Sequence, residues 1–369
     1  MNCQTRDIPI GSGRVLKATP VFDTYWRFAQ ARQQILYRRV NGDAPPWTDD
    51  PILAAHRFTN AYRASDRVSQ FLIRHVIYAG PQTEEELFFR ILFFKIFNRI
   101  ETWTSLESVL GQICWTEYEF ERYASALERI RASGTSIYSN AYIMPSPYFG
   151  EKYKHRNHLL LLEQMMRESI PQKIAGARSL EQVFRILLDC PSLGRFLAFQ
   201  FTIDLNYSTL CDFSETDFVV AGPGARDGIK KCFVDAAGLE EEDVIRVVTE
   251  RADEEFERLG IAFSDLWGRR LHLIDCQNLF CEVDKYSRVA HPQFQGLSGR
   301  TRIKQRFLPA AKPLPQWYPP KWNIRLPERL TSSESQQFTP IGELPFEVVA
   351  PEPQSASSYC REAAATIHP

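Results

Sequence analysis

Two glycines one residue apart, Gly222 and Gly224, interrupt an apolar run in the stretch Asp217 to Phe233, which reads DFVVAGPGARDGIKKCF. Lacking a Cβ, glycine allows a tight turn whose backbone N–H groups point outward. Amides gathered at the start of a helix form a nest for one phosphate. A polar, helix-compatible segment follows from Arg226 and carries Lys230 and Lys231. A bare GxG is most often an ordinary turn, so the flanking elements decide its meaning.

A second group able to do chemistry is Asn60, Arg63, Arg67, Gln70 and Arg74, recurring at spacings of three and four. In one continuous helix these residues share a face. Guanidinium and amide groups suit phosphates or base edges, and a salt-bridged helix surface partly neutralised by Asp66 is the plainer alternative. Lys95, Asn98 and Glu101 sit within the greasy stretch LFFRILFFKIFNRIET, Leu87 to Thr102. An unpaired buried charge is costly, so each must pair, line a cavity or, as is usual for lysine, snorkel. Asn98 and Glu101, three apart, are the better cavity candidates. Asn140 and Tyr142 are the polar groups that the loop before Pro145-Ser146-Pro147 can present to a pocket. The segment HLIDCQNLFCEVDKYSR packs Asp275, Asn278, Asp284 and Lys285 together, either as a site or as a satisfied polar network.

Helices must position these groups. Leu193 to Leu205 has helical periodicity, so helix, Gly-Pro-Gly hairpin and helix over about 193–233 look like a helix-hairpin-helix grip on a DNA backbone. Phe22 to Val40 reads as a helix with Tyr25, Phe28 and Ile35 inward, and Ile52 to Val76 as another. Thr83 and Glu86 form a capping box ahead of the buried helix from Leu87. Further helices are expected at 105–110, 116–133, 155–168, 179–189, one or two acidic ones over 233–259, and 269–280. Ile137 to Met144 is short, aromatic and β-like. Residues 1–20 form an arm, 21–290 the helical domain, 291–330 a basic Pro/aromatic extension, and 331–369 a tail too polar to fold alone. The fold class is all-α.

The chain has 369 residues, 44% of them hydrophobic, which describes a globular protein; its net charge of −1 gives no global basicity. Charge is nevertheless segregated, with arginines over 57–74 and 300–306 against acids over 240–257. Eight scattered cysteines without a CxxC read as reduced thiols. No metal-ligand spacing and no cofactor motif stand out. The N-terminus has no apolar signal region and no 18-residue apolar run occurs, so an intracellular protein without membrane contact is expected, nuclear if eukaryotic and cytoplasmic if bacterial or phage.

The strings PWTDDPILAAHRFTNAYRASDRVSQ, FRILFFKIFNRIETW, SNAYIM and DFSETDFVVAGPGARDGIKKCF resemble helical proteins of phage thymine-hypermodification systems. These are the helical domain of 5-hydroxymethyluracil DNA kinases and the α-glutamyl/putrescinyl thymine pyrophosphorylases, which are amino acid:DNA transferases. The resemblance covers about Trp47 to Arg288. It implies a DNA-glycosylase-like, helix-hairpin-helix fold acting on a thymine-derived base in DNA. In the transferase branch an amine replaces the pyrophosphate of a pyrophosphorylated 5-hydroxymethyluracil; in the kinase branch a P-loop module installs phosphate. No GxxxxGK[ST] occurs in this sequence: Gly222 and Gly228 are one residue too far apart and Ile229 stands where lysine is needed.

Carried over from the resemblance, Arg63, Arg67, Lys95, Asn98, Asp275 and Asp284 are candidate catalytic residues. Arg57, Asn60, Gln70, Gly222, Gly224, Arg226 and Lys230 are candidate DNA contacts. Glu101, Asn140, Tyr142, Asp217, Asn278 and Lys285 are candidates for the base pocket, with Asp66 beside them. In that scheme Arg63 and Arg67 clamp a departing pyrophosphate, and Asp275 or Asp284 takes the amine proton. Modified DNA, a separate 5-hydroxymethyluracil DNA kinase and a small amine donor are the implied partners. A base-excising glycosylase, with Asp235, Asp243 or Asp275 as its acid, and a non-catalytic reader of modified DNA remain alternatives.

Overall fold

The computed structural model describes residues 5–307 and 316–327. Thr19 begins the main helical body: its hydroxyl accepts from the Val21 amide at 3.1 Å, and Pro20 occupies the first helical position. Both features favour initiation. Helix α1 (Pro20–Val40) buries Tyr25, Phe28 and Ile35 as its periodicity predicts, and also Trp26 and Arg32. Before it, β1 (Arg6–Pro9) and β2 (Val15–Ala18) form an antiparallel hairpin, and β3 (Phe233–Asp235) adds to β2. The fold is therefore helix-rich with a small sheet, not all-α, and residues 6–18 are strands rather than an arm. The strands are only three or four residues long, and β3 lies more than 200 residues beyond β2, its pairing partner, so local pattern could not reveal the sheet.

The predicted helix 52–76 is broken into α2 (Pro51–Ala55), a 3₁₀ turn at Arg63–Ser65, α3 (Arg67–Phe71) and a π-helical turn at Leu72–Ile77. The apolar helix α4 (Glu84–Phe97) forms as expected and is buried on every side from Leu87. Thr83 caps it, whereas the Glu86 carboxylate accepts from the amides of Trp115 and Thr116 instead of closing the box. The helix stops at Asn98, which adopts φ 49°, a left-handed cap that asparagine tolerates. Thus α5 (Ile100–Leu110) is separate, and Asn98 and Glu101 do not share one face.

Next come α6 (Phe120–Ala132), α7 (Lys154–Arg167), α8 (Ile170–Ala175) and α9 (Leu180–Leu188). The β-like stretch 137–144 is a loop. The central α10 (Arg195–Asn206) is buried from Leu197 to its end. Then α11 (Pro223–Cys232), α12 (Glu241–Glu250) and α13 (Ala252–Arg258) lead to α14 (Leu273–Ala290), against which α1, α11 and α12 pack.

The Gly-Pro-Gly segment is not a hairpin. Gly222 is the N-cap of α11, and Pro223 and Gly224 form its first turn. The connection from α10 is the whole of residues 207–222. Gly224 and Gly228 instead let α11 lie close on α14. A Cβ at Gly228 would collide with the Phe280 backbone carbonyl, and one at Gly224 with the Cys281 side chain. A Cβ at Gly222 would come within 2.9 Å of the Phe196 ring.

The extension folds back on the body. Arg57 N donates to the Gln305 carbonyl and Phe307 N to that of Ala55, both at 3.1 Å. Residues 316–327 form a strap rather than a free arm, with Gln316 and Tyr318 buried. The expected tail, 331–369, lies outside the described residues.

This helix seam gives a test. Gly228→Ala should lower the unfolding midpoint strongly, because backbone cannot yield, and overpacking typically costs about 1–3 kcal/mol or more. Gly224→Ala should be partly rescued by Cys281→Ala, whereas Gly228→Ala should not; chemical denaturation of the two double variants distinguishes these outcomes.

Candidate site: a buried charge cluster

The chain around residue 60 is held by side chains from elsewhere. Arg32 donates to the carbonyls of Thr59 (2.8 Å) and Phe58 (3.3 Å) and to the Asn60 side-chain oxygen (3.0 Å). Asn60 N donates to Asp66 at 2.8 Å, and its side-chain amide to the Ser65 carbonyl at 2.7 Å. Glu282 takes the Thr59 amide at 3.0 Å, and Asp275 the Arg63 amide at 2.9 Å. Backbone groups committed this way are not available to a helix ladder. Hence Asn60, Arg63, Arg67, Gln70 and Arg74 do not line one helical face.

The break turns Arg63 inward, to 2% exposure, against α10. Its Nε donates to Gln200 Oε1 at 3.1 Å and Nη1 to Tyr207 Oη at 3.0 Å; Nη1 also lies 2.8 Å from Asp204 Oδ1. The other Asp204 oxygen faces Lys95 Nζ at 3.3 Å, and Lys95 donates to Asn98 Oδ1 at 2.8 Å. Asp204 is wholly buried and Lys95 nearly so. The Lys95 ammonium lies 4.8 Å from the centre of the Tyr142 ring, which stacks in parallel on Phe196 with centroids 5.7 Å apart. Two cations therefore share one carboxylate beneath an aromatic roof.

Burial would lower the Arg63 guanidinium, but Asp204, Tyr207 and Tyr142 outweigh it and keep the group firmly charged. Burial wins at Lys95: despite Asp204, and with Arg63 adding repulsion, its ammonium falls below the usual lysine range. Burial also pushes the Tyr142 hydroxyl up to about 12. A cation–carboxylate–cation triad in low dielectric attracts further negative charge.

Around this centre lies a second ring of contacts. Asp275 accepts from the amides of both Arg63 and His272, closing the N-terminus of α14, and burial raises its carboxyl. Arg269 pairs with buried Glu215 at 2.7 Å and lies 3.7 Å under the Trp322 ring. The strap covers this edge: Trp322 meets Tyr207 edge-on, Tyr318 Oη lies 2.7 Å from Ser65 Oγ, and the Trp317 amide donates to Gln70 Oε1 at 2.7 Å.

Of the candidates, the structure brings together Arg63, Lys95, Asn98 and Tyr142, with Asp275 attached through the Arg63 amide. Arg67 is exposed and 3.8 Å from Glu101, so it does not form a clamp with Arg63, and Glu101 faces outward rather than into a pocket. Asp284 is consumed by a buried pair with Lys231 at 2.8 Å and by Arg288. Lys285 pairs with Glu282 and lies over Phe58. Gln70 holds the strap and the Ala64 carbonyl; Asn60 is buried in its loop. Arg57, Asn140, Asp217, Arg226 and Lys230 are exposed, and Asn278 is half-buried on α14. Gly222 and Gly224 serve helix packing, as described. Asp204, Gln200 and Tyr207 are the residues that sequence reading missed. Their signal was present: an amide and an acid four apart inside an apolar helix, the same anomaly that marks Lys95.

A cleft of about 750 Å³ lies at the N-terminal end of α14, lined by Thr216, Arg246, Phe256, Phe263, Arg270 and His272 among others. Among the described residues no group of three or more His, Cys, Asp or Glu is placed to hold a metal, and no helix is long and apolar enough to cross a membrane.

A helical domain organised by a buried charge cluster is thus the class of protein that the fold and site define. Residues 19–296 match the family described as 5-hmdU DNA kinase, helical domain, a span containing every member of the cluster. The chain belongs to that family. It is 27% identical over 286 residues to the 5-hmdU DNA kinase of Bacillus phage SP10, covering 72% of this chain and 45% of that protein. The chain thus spans less than half the length of this relative. No solved structure matches.

The triad predicts an ordering. Asp204→Asn leaves two buried cations without a counter-charge, a loss of about 3–5 kcal/mol in comparable pairs. Lys95→Met leaves the Arg63–Asp204 pair and should cost clearly less in urea unfolding. A pH effect follows from Asp66, half-buried, whose carboxyl burial raises to about 7 although the Asn60 amide favours its charged form. An unfolded aspartate titrates near about 3.9, so between about 4 and 7 the folded chain holds a proton that the unfolded chain has released, and stability falls as pH rises. Asp66→Asn keeps an acceptor for Asn60 and should flatten the unfolding midpoint across that window.

Proposed function

We propose that this chain handles DNA carrying a thymine-derived base of the 5-hydroxymethyluracil series, as the DNA-recognising part of a 5-hydroxymethyluracil DNA kinase system. The observation that carries this reading is the triad Arg63–Asp204–Lys95 beneath Tyr142, inside the region shared with the kinase helical domain. A pyrimidine turned out of the duplex would meet an aromatic face at Tyr142 and, behind it, excess positive charge suited to a phosphate or pyrophosphate on its exocyclic carbon. Access requires Tyr142 to leave Phe196, a movement of one loop side chain. The α11 N-terminus and exposed Arg226 and Lys230 would supply glycosylase-like contacts to the DNA backbone, which salt would weaken.

The geometry favours recognition over chemistry by the groups first suspected. All three Arg63 guanidinium nitrogens have partners, Nη2 donating to the Gln200 carbonyl at 3.4 Å, and the Asp275 and Asp284 carboxylates are committed to backbone amides and to cations respectively. A second reading keeps the chain as the transferase that exchanges pyrophosphate for an amine. It is favoured by one feature: Lys95, whose lowered pKa eases loss of its proton.

Binding and chemistry separate the two. With duplexes containing thymidine, 5-hydroxymethyldeoxyuridine or its pyrophosphorylated form, fluorescence anisotropy should show several-fold tighter binding to the modified DNA, with Lys95→Met reducing the preference. Mass spectrometry of the nucleosides should show no change with this chain alone. An amine-substituted product on the pyrophosphorylated duplex would establish the transferase, abasic sites would establish a glycosylase, and equal affinity for all three duplexes would overturn the proposal.

A further inference from the structure

The loop between α6 and α7 holds apolar side chains in water while being braced along its length. Ser139 N donates to the Phe97 carbonyl at 2.9 Å, at the end of α4. His158 joins the Tyr138 hydroxyl (2.8 Å) to the Pro145 carbonyl (2.9 Å), and Asn157 Oδ1 accepts from Phe149 N at 3.0 Å. Tyr142, at φ 55°, turns inward onto Phe196, and Met144 is buried. Between and beyond these anchors Ile143 is 67% exposed and Tyr148 is 96% exposed. From Ser133 to Gly150 the sequence contains no charged residue. Cations stand close to it: Lys154 over Tyr138 and Lys152 over Tyr153, with exposed Arg195, 3.7 Å from Glu242, next to Phe196 in the chain.

A braced, uncharged loop with two exposed apolar side chains and cations beside it suits a DNA duplex, whose stacked bases accept apolar wedges and whose phosphates attract the flanking lysines. We propose that Ile143 and Tyr148 form a wedge that enters the base stack beside the target nucleotide, Tyr148 stacking on the base left behind. Lys152, Lys154 and Arg195 then hold the neighbouring phosphates. The inference rests on the DNA-handling role above and deepens it. Tyr142 links the two functions: it lies one residue from Ile143 and roofs Lys95, so a wedge pushed by DNA would pull on the aromatic lid of the charge cluster.

The test uses the full chain and a duplex carrying 2-aminopurine next to 5-hydroxymethyldeoxyuridine, whose fluorescence rises when the base unstacks. Wild-type protein at saturation should raise the signal several-fold. Ile143→Ser/Tyr148→Ser, with both sites at the surface, should keep the wild-type unfolding midpoint, bind about 3- to 10-fold more weakly by loss of stacking, and lose most of the rise even when saturated. Tyr148→Trp should retain it. Lys152→Ser/Lys154→Ser should reduce the salt slope of binding by about 2. A full rise with the double serine variant sinks the wedge alone and leaves the DNA-handling role standing. A wild-type chain that is folded yet binds none of the duplexes sinks both. Sedimentation showing that Ile143 and Tyr148 hold two copies of the chain together, with unstacking unaffected by their loss, assigns the loop to a protein interface and overturns the proposal.

Discussion

A carboxylate sealed from solvent must be surrounded by its own counter-charges, and Asp204 draws them from two distant stretches of chain. Lys95 reaches it from the apolar helix α4, and Arg63 from the broken segment after α2. Neither cation is stable in the interior without Asp204, and Asp204 is not stable without them. The strong Coulomb interaction inside a low-dielectric core makes the shared carboxylate the member whose loss costs most. Its consequence for architecture is that α4, α10 and the 56–66 loop are locked into one relative position by charge as well as by packing.

The same logic explains why the 56–66 loop is irregular. Arg32, Glu282 and Asp275 offer hydrogen-bonding partners that outcompete the local helix, and each comes from a helix that packs nearby. The loop is thereby a product of tertiary structure, and its irregularity is what turns Arg63 inward. Had the segment remained helical, Arg63 and Arg67 would share one surface and the interior would lack its second cation.

Much of the helical scaffold was legible from apolar periodicity and from caps: α1, α4, α7, α9 and α10 lie close to where their patterns place them. The sheet was not, because its strands are three or four residues long and its closing pair joins chain positions far apart. The glycines of α11 were misleading for a related reason. Local pattern assigns GxG to a turn, whereas the residue that gives Gly228 its purpose, Phe280, is fifty positions away. Within the site, Lys95, Asn98 and Tyr142 were legible as polar groups in apolar company. Asp284 and Lys285 belonged to the satisfied network that the dense polar segment also allowed. Asp204 went unnoticed although it breaks the same rule as Lys95, in a helix read only for its periodicity.

The strap alters where this protein ends as a folding unit. Trp317, Tyr318 and Trp322 rest against Tyr78, Trp267 and Tyr207, and Lys321 ties down the carbonyls of Ser208 and Cys211 after α10. The four strap residues lie beyond residue 296, where the similarity to the kinase helical domain stops. A chain cut at that limit would bare a belt of aromatic rings and strip the carbonyls of Ser208 and Cys211 of their lysine partner, so recombinant work should treat the segment through Pro327 as integral, whatever boundary sequence similarity draws.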